Sequence, residues 1–268
     1  MITDITIGQY YKGDSFVHKM DPRIKILITV LFIVMIFMCK NFLALLLTGI
    51  FLTVSIAVSK VPFRMFFKSL RPIIPIVLFT AVINIFYIGG GEELLSLGFV
   101  TVTSKGVFTA LFMAVRIVLL IMSSSILTYT TVPTMLTDAI EKLLSPLKIF
   151  HIQVHTLAMM MTLALRFIPT LMEEADKIMS AQKARGADFT NGSLIQRAKA
   201  LIPILIPLFS SSIRHALDLA TAMECRCYRG GEGRTRMKIL KCGTADIVAV
   251  ISVVAFGAAV VCLNVFFA

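Results

Sequence analysis

Long apolar stretches that carry no charge are the feature that most constrains this chain. A helix that crosses a bilayer needs about 20 mainly apolar residues. The composition agrees, because 57% of the 268 residues are hydrophobic and 15% are charged, whereas soluble domains are about 45–50% apolar and about 25% charged. We predict an all-α integral membrane protein with about five transmembrane helices. The predicted spans lie in Ile26–Cys39, Phe42–Ser59, Pro72–Gly91, Ile117–Thr137 and residues 247–268.

The basic residues indicate which side of the membrane each loop occupies, because lysine and arginine accumulate on the cytoplasmic side. If the N-terminus is inside, the inner segments hold all but three of the 26 basic residues. The exceptions are Lys40, Lys105 and Arg116. We therefore predict a multi-pass protein of the cell membrane with a cytoplasmic N-terminus. Inner loops account for the formal net charge of +11, and no nucleic-acid partner is expected.

This topology divides the chain into three regions. Residues 1–130 are predicted to form an N-terminal transmembrane region with about four spans. Residues 131–244 are predicted to form a cytoplasmic or interfacial region of long helices, and residues 245–268 a C-terminal transmembrane helix.

Two apolar stretches in the middle region, Ile149–Leu165 and Ala200–Ile213, leave an alternative open. As spanning helices they would place residues 173–199, with their lysines and arginines, outside the cell. The distribution rule for basic residues disfavours that arrangement. We therefore expect two long helices, kinked at prolines, in or under the inner leaflet.

The ends of these two helices repeat one pattern. Residues 180–186 and 221–227 both read hydroxyl residue, alanine, two variable positions, small residue, arginine, small residue. Turn residues follow, so Arg185 and Arg226 are predicted to lie near helix C-termini. One interpretation is that each arginine only offsets the helix dipole. The other is a docking element used twice, in which each guanidinium binds carboxylates of a partner and the small neighbours permit close approach.

Five short motifs, taken together, resemble those of a known family. They are Met20–Lys25, Thr130–Pro133, Leu143–Leu147, Ala184–Gly186 and Cys225–Cys227. In the first, an aspartate can cap a helix that begins with proline. The chain thereby resembles, along most of its length, the transmembrane T component of energy-coupling factor (ECF) transporters. The last motif departs from the family's usual alanine, arginine, glycine form, since cysteine stands on both sides of the arginine.

The resemblance implies a transmitter of motion. In that family the two motifs end coupling helices that dock onto two cytosolic ABC ATPase subunits, and a small membrane-embedded substrate-binding component carries a vitamin or trace nutrient. ATP with Mg²⁺ is used by the ATPases, so a non-catalytic chain without a cofactor of its own is expected. The implied docking residues are Ala184, Arg185, Gly186, Cys225, Arg226 and Cys227.

Other readings of the sequence have less support. His151 and His155 have the spacing of a helical metal site, but no third ligand is evident nearby, so no metal site is expected. The fourth span is expected to begin near Gly106 and so to contain Arg116, which has no acidic partner in any predicted span. This arginine is expected either to orient a neighbouring helix or the binding component, or to reach the membrane surface. A stand-alone secondary transporter or a conventional ABC permease subunit remains as an alternative function.

Overall fold

The structure is a computed structural model that describes residues 10–88, 90, 93–97, 100–150, 153–187, 189, 193–230 and 242–266. The described elements are almost all helices. They are α1 (Phe16–Lys19), α2 (Pro22–Met38), α3 (Phe42–Ser59), α4 (Phe63–Leu70), α5 (Ile74–Tyr87), β1 (Glu93–Leu97), β2 (Val100–Thr103), α6 (Ser104–Thr130), α7 (Pro133–Leu143), α8 (Val154–Ala184), α9 (Leu194–Cys225) and α10 (Thr244–Phe266). A 3-10 helix, Ser145–Phe150, precedes α8.

Five of the described helices are long and apolar enough to cross a membrane. They are α3, α6, α8, α10 and the Ala198–Cys225 part of α9. The pair of α4 and α5, bent by 58°, is a further candidate if it forms one broken span. The predicted all-α membrane protein with about five such helices is confirmed, and the described chain adds to it only the short β1–β2 hairpin.

The set of candidate spans differs in part from the predicted set. The α2 helix has 17 residues, which corresponds to about 26 Å of helix. Among the described residues of Pro72–Gly91, predicted as one span, only the 14 residues of α5 are helical. This helix follows the bend between α4 and α5. By length and composition α8 and α9 also qualify, so their position at the inner leaflet stays a prediction.

The chain forms two compact units. Within the described residues, one unit comprises 10–136 and 242–266, and the other comprises 137–230. In the first unit α6 packs against α2, α3, α4 and α5, while α10 packs against α2 and α3. The three predicted regions remain predictions, because the units are defined by packing and not by the membrane.

The core of the first unit is made by aromatic and branched aliphatic side chains. The ring of Phe51 stacks on Phe32 and Phe256 with centroid separations of 5.7 and 4.4 Å. Ile36, Leu45, Ile56 and Phe66 are buried around them. Stacked aromatic pairs of this kind stabilise a fold by more than their buried area alone provides. Here they hold α2, α3 and α10 together.

Two aspartates connect the beginnings of α2 and α10. Asp21 caps α2, since its carboxylate accepts the Arg23 N–H at 2.9 Å, and Pro22 is the first residue of the helix, as predicted. The carboxylate of Asp246 accepts the backbone N–H of Asp21 at 2.8 Å and that of Gly243 at 2.7 Å. A single buried carboxylate thus satisfies donors from two segments that are far apart in sequence.

The hairpin leads into α6 through a close backbone approach. β1 pairs with β2 in antiparallel fashion, and the Thr103 hydroxyl caps α6 by accepting the Gly106 N–H at 3.3 Å. A Cβ atom on Gly106 would lie 2.9 Å from the carbonyl oxygen of Ile88 and 3.1 Å from that of Ile85. Glycine is therefore needed where the end of α5 meets the start of α6.

Candidate docking site at two arginine-ended helices

The predicted docking residues lie at the ends of α8 and α9, two helices that pack against each other. His215 Nε2 in α9 lies 3.6 Å from Glu174 Oε2 in α8, and the Tyr228 hydroxyl, just beyond α9, donates to Met159 Sδ at 2.9 Å. The later residue in the α9 segment thus contacts the earlier residue in α8. The two helices run antiparallel along this stretch.

The C-terminus of α8 is closed by backbone hydrogen bonds alone. The Gly186 N–H donates to the Lys183 carbonyl, and the Ala187 N–H donates to the Gln182 carbonyl, both at 3.0 Å. These two bonds define the Schellman motif, in which the residue after the cap adopts the left-handed conformation. Gly186 has φ +89, and Arg185 is the C-cap residue.

The C-terminus of α9 repeats this arrangement residue for residue. The Cys227 N–H donates to the Glu224 carbonyl at 2.8 Å, and the Tyr228 N–H donates to the Met223 carbonyl at 3.0 Å. Arg226 is the C-cap residue. Cys227, with φ +56, occupies the left-handed position that glycine occupies in α8, although a side chain there is disfavoured.

All six predicted docking residues are exposed. Neither the Arg185 nor the Arg226 guanidinium makes a hydrogen bond or an ion pair with another residue of the described chain. Backbone amides already bond carbonyls of both last turns, so the arginines are not needed as side-chain caps. Each guanidinium presents its donors outward, where a carboxylate can be bound by two parallel hydrogen bonds.

The antiparallel packing separates the two arginines. Tyr228 lies beside Met159, near the start of α8, whereas Arg185 ends that helix. With a rise of 1.5 Å per residue, the two helix ends that carry these arginines lie roughly 35–40 Å apart along α8. The candidate docking residues therefore form two separate groups and not one binding pocket.

The candidate histidine pair is only partly described. His155 Nδ1 lies 3.2 Å from Glu141 Oε1, so this ring contacts a carboxylate on α7. His151 lies outside the described residues. Among the residues that the structure describes, no three histidine, cysteine or acidic side chains form a group that could hold a metal ion.

The sequence pattern located both helix ends but missed two features. The repeat of residues 180–186 in 221–227 did not indicate that the two ends share one hydrogen-bonding motif, because Cys227 gives no signal for a left-handed conformation. The interhelical contacts of Tyr228 and His215 were also missed, since they depend on how α8 and α9 pack.

Comparison with known proteins identifies similar chains. The family model described as cobalt transport protein matches residues 13–238. A relative from Clostridium kluyveri, named energy-coupling factor transporter transmembrane protein EcfT, is 56% identical over 250 residues and covers 93% of each chain. Relatives of the same name from Ruminiclostridium cellulolyticum and Listeria innocua are 53% and 44% identical, over 92% and 94% of this chain and 92% and 95% of their own.

Proposed function

The chain belongs to the cobalt transport protein family as the transmembrane T component of an ECF transporter, and from this we propose that it couples two cytosolic ABC ATPase subunits to a separate substrate-binding membrane component. The ATPases use ATP with Mg²⁺, and this chain carries out no catalysis and binds no cofactor of its own. The nutrient that enters, a vitamin or a trace nutrient, is selected by the binding component. The complex lies in the cell membrane, with the N-terminus of this chain in the cytoplasm.

The observation that carries this proposal is the pair of matching helix ends. Arg185 and Arg226 stand at the same position of the same motif and are exposed, and neither guanidinium bonds to another described residue. The separation of the two helix ends, roughly 35–40 Å, suits attachment to two ATPase subunits, one at each arginine. Ala184, Gly186, Cys225 and Cys227 are small and let a partner surface approach the helix end.

Force is transmitted through α8 and α9 as rigid elements. When the ATPases move, each pulls or pushes on one helix end, and the antiparallel pair moves with them. Two contacts support this role, because they connect the helices at two positions along α8. They are the contacts of Tyr228 with Met159 and of His215 with Glu174. No proton or electron transfer by this chain is needed.

The binding component is proposed to contact apolar side chains on the same two helices. Met160, Leu205 and Phe209 are exposed, and flexible or large apolar side chains suit a surface that packs against a membrane protein partner. Interchangeable partners would be accommodated by the thioether of Met160 in particular, which can adopt several rotamers.

The experiment is co-purification from gently solubilised membranes with a tagged chain. The wild type is expected to retain ATPase subunits and a small hydrophobic protein. The amount of ATPase that co-purifies with the double variant Arg185→Glu/Arg226→Glu is expected to be about tenfold lower than with the wild type. Each reversed charge would face the carboxylates that the arginine bound. ATP-driven uptake should fall in parallel.

The matched control is Arg166→Glu/Arg214→Glu, which reverses two exposed arginines on α8 and α9 away from the helix ends. This control should retain the ATPases. Full retention of ATPase by the variant at 185 and 226 would contradict the docking role. Purification of the wild-type chain without any partner, together with uptake by that chain alone, would instead support a stand-alone transporter.

A further inference from the structure

A cavity of about 310 Å³ lies among α1, α2, α3, α6 and α10 in the first unit. Its wall is mainly apolar and includes the buried side chains of Phe32, Leu52 and Val253. Water is a poor occupant, because a buried water needs two to four polar partners. The cavity therefore fits an apolar ligand.

The exposure of lining residues on α3 and α10 indicates that the cavity opens between these two helices. Val54 and Val58 on α3 and Val248 on α10 line it and are exposed, Val54 by 56%. Because α3 and α10 are candidate membrane spans, an opening between them faces the hydrocarbon of the bilayer. The apolar ligand that reaches such an opening is the hydrocarbon chain of a lipid.

One end of the cavity is polar. Lys25 lines it and is 5% exposed, and its Nζ donates to the Thr130 carbonyl at 3.0 Å and approaches the His18 carbonyl and the Thr131 hydroxyl, each at 3.4 Å. The last two contacts are long for hydrogen bonds of an ammonium group. The ammonium can therefore exchange one of them for the oxygen of a ligand.

Ser123 is a small buried residue in the wall of the cavity. This residue on α6 lines the wall, is 4% exposed, and its hydroxyl makes no hydrogen bond with another described residue. Its neighbour Ser124 is exposed and does not line the cavity. A larger side chain at position 123 would occupy the space without breaking a side-chain hydrogen bond of the fold.

We propose that this cavity binds one acyl chain, either of a membrane phospholipid or of a free fatty acid. The chain enters between α3 and α10, passes Ser123, and keeps its carboxylate or ester oxygen beside Lys25. The occupied cavity would then be part of the native packing of the first unit, independently of the docking role of α8 and α9.

The test is photolabelling of the full chain with its co-purifying partners. Two probes are used: palmitic acid with a mid-chain diazirine, and phosphatidylglycerol carrying that same chain. Cross-linked peptides from the wild type are expected to come from α2, α3, α6 and α10, at residues that line the cavity. Labelling by the first probe identifies a fatty acid as occupant, and labelling by the second identifies a phospholipid.

Ser123→Leu is expected to lower labelling of these peptides about tenfold, since a filled pocket excludes the chain. Ser124→Leu adds the same side chain outside the cavity and should label like the wild type. Equal labelling of both variants would overturn the proposal. So would wild-type cross-links spread evenly over the exposed apolar residues of the first unit, a result that does not depend on how well either variant folds.

Discussion

The guanidinium of Arg116, within α6, donates a hydrogen bond from Nη2 to the backbone carbonyl of Cys39, the C-cap residue of α2. The guanidinium carbon also lies 4.6 Å from the centre of the Phe112 ring. Of the two roles considered for this intramembrane arginine, orientation of a neighbouring helix is therefore the one with a contact. A cation at the negative end of a helix is also electrostatically favourable.

Arg116→Met is expected to destabilise the first unit by about 1.5–3 kcal/mol, because it removes a charge-assisted hydrogen bond to the end of α2. The measurement is the midpoint of thermal unfolding in detergent. Lys105→Met, which removes an exposed charge from the start of the same helix, is the control and should leave the midpoint unchanged. Equal midpoints for the wild type and the variant at 116 would show that the contact contributes no stability.

Substitutions at Gly186 and Cys227 are expected to have opposite effects on the stability of their helix ends. Gly186→Ala should destabilise the end of α8 by about 1 kcal/mol, because φ +89 is strained for a side chain, although no atom lies within 4 Å of the added Cβ. Cys227→Gly should stabilise the end of α9 slightly, since glycine adopts φ +56 without that strain.

Hydrogen exchange of the last-turn amides measures both effects locally. The amides of Gly186 and Ala187 should exchange about fivefold faster in Gly186→Ala. Those of Cys227 and Tyr228 should exchange more slowly in Cys227→Gly. A faster exchange in Cys227→Gly would mean that the cysteine contributes contacts that outweigh its backbone strain.

Gly106→Ala is expected to displace the start of α6 from the end of α5 and to lower the thermal midpoint, with a cost of about 1–3 kcal/mol. The added Cβ would meet the backbone carbonyls of Ile88 and Ile85. Backbone atoms cannot move away by a change of rotamer, as a flexible side chain can. Gly49→Ala is the matched control, because its nearest neighbour is Leu119 Cδ2 at 3.6 Å, an ordinary contact. If Gly49→Ala is destabilised as much as Gly106→Ala, the cost comes from helix packing in general and not from the close contact between α5 and α6.

Tyr129→Phe is expected to cost about 1–2 kcal/mol, because it removes buried hydrogen bonds between α6 and α4. The hydroxyl of Tyr129, a residue that is 2% exposed, donates to the Met65 carbonyl at 3.1 Å and also contacts Ser69. Tyr87→Phe removes the hydroxyl of a side chain that is 89% exposed and should be neutral. Unfolding by denaturant compares the two variants, and an unchanged midpoint for Tyr129→Phe would exclude a stabilising role of its hydroxyl.

The single charge reversals Arg185→Glu and Arg226→Glu are expected to weaken ATPase retention independently. Sites more than about 10 Å apart with no shared partner usually contribute additively, and these two lie at opposite ends of the helix pair. The fold losses measured in the single variants should therefore multiply in the double variant. A double variant no weaker than either single variant would indicate one shared contact instead of two.

Much of the fold and of the candidate site could be predicted from the sequence, because both depend on short-range patterns. Charge-free apolar runs predicted helices in the bilayer, Asp21 and Pro22 predicted the start of α2, and the repeated segments predicted helix ends at Arg185 and Arg226. These features are determined within a few residues, by hydropathy and by the hydrogen bonds that a helix end leaves open.

Only the tertiary structure decided which helix meets which. Segments far apart in the chain are joined by the bond from Arg116 to Cys39 and by the carboxylate of Asp246 at the start of α2. Distant segments also line the cavity beside Ser123. The left-handed Cys227 likewise has no local signal, since cysteine rarely adopts that conformation. Hydropathy places a helix in lipid, but lipid is as apolar as the helix surfaces, so the pairing of helices is chosen by close packing and a few polar bonds.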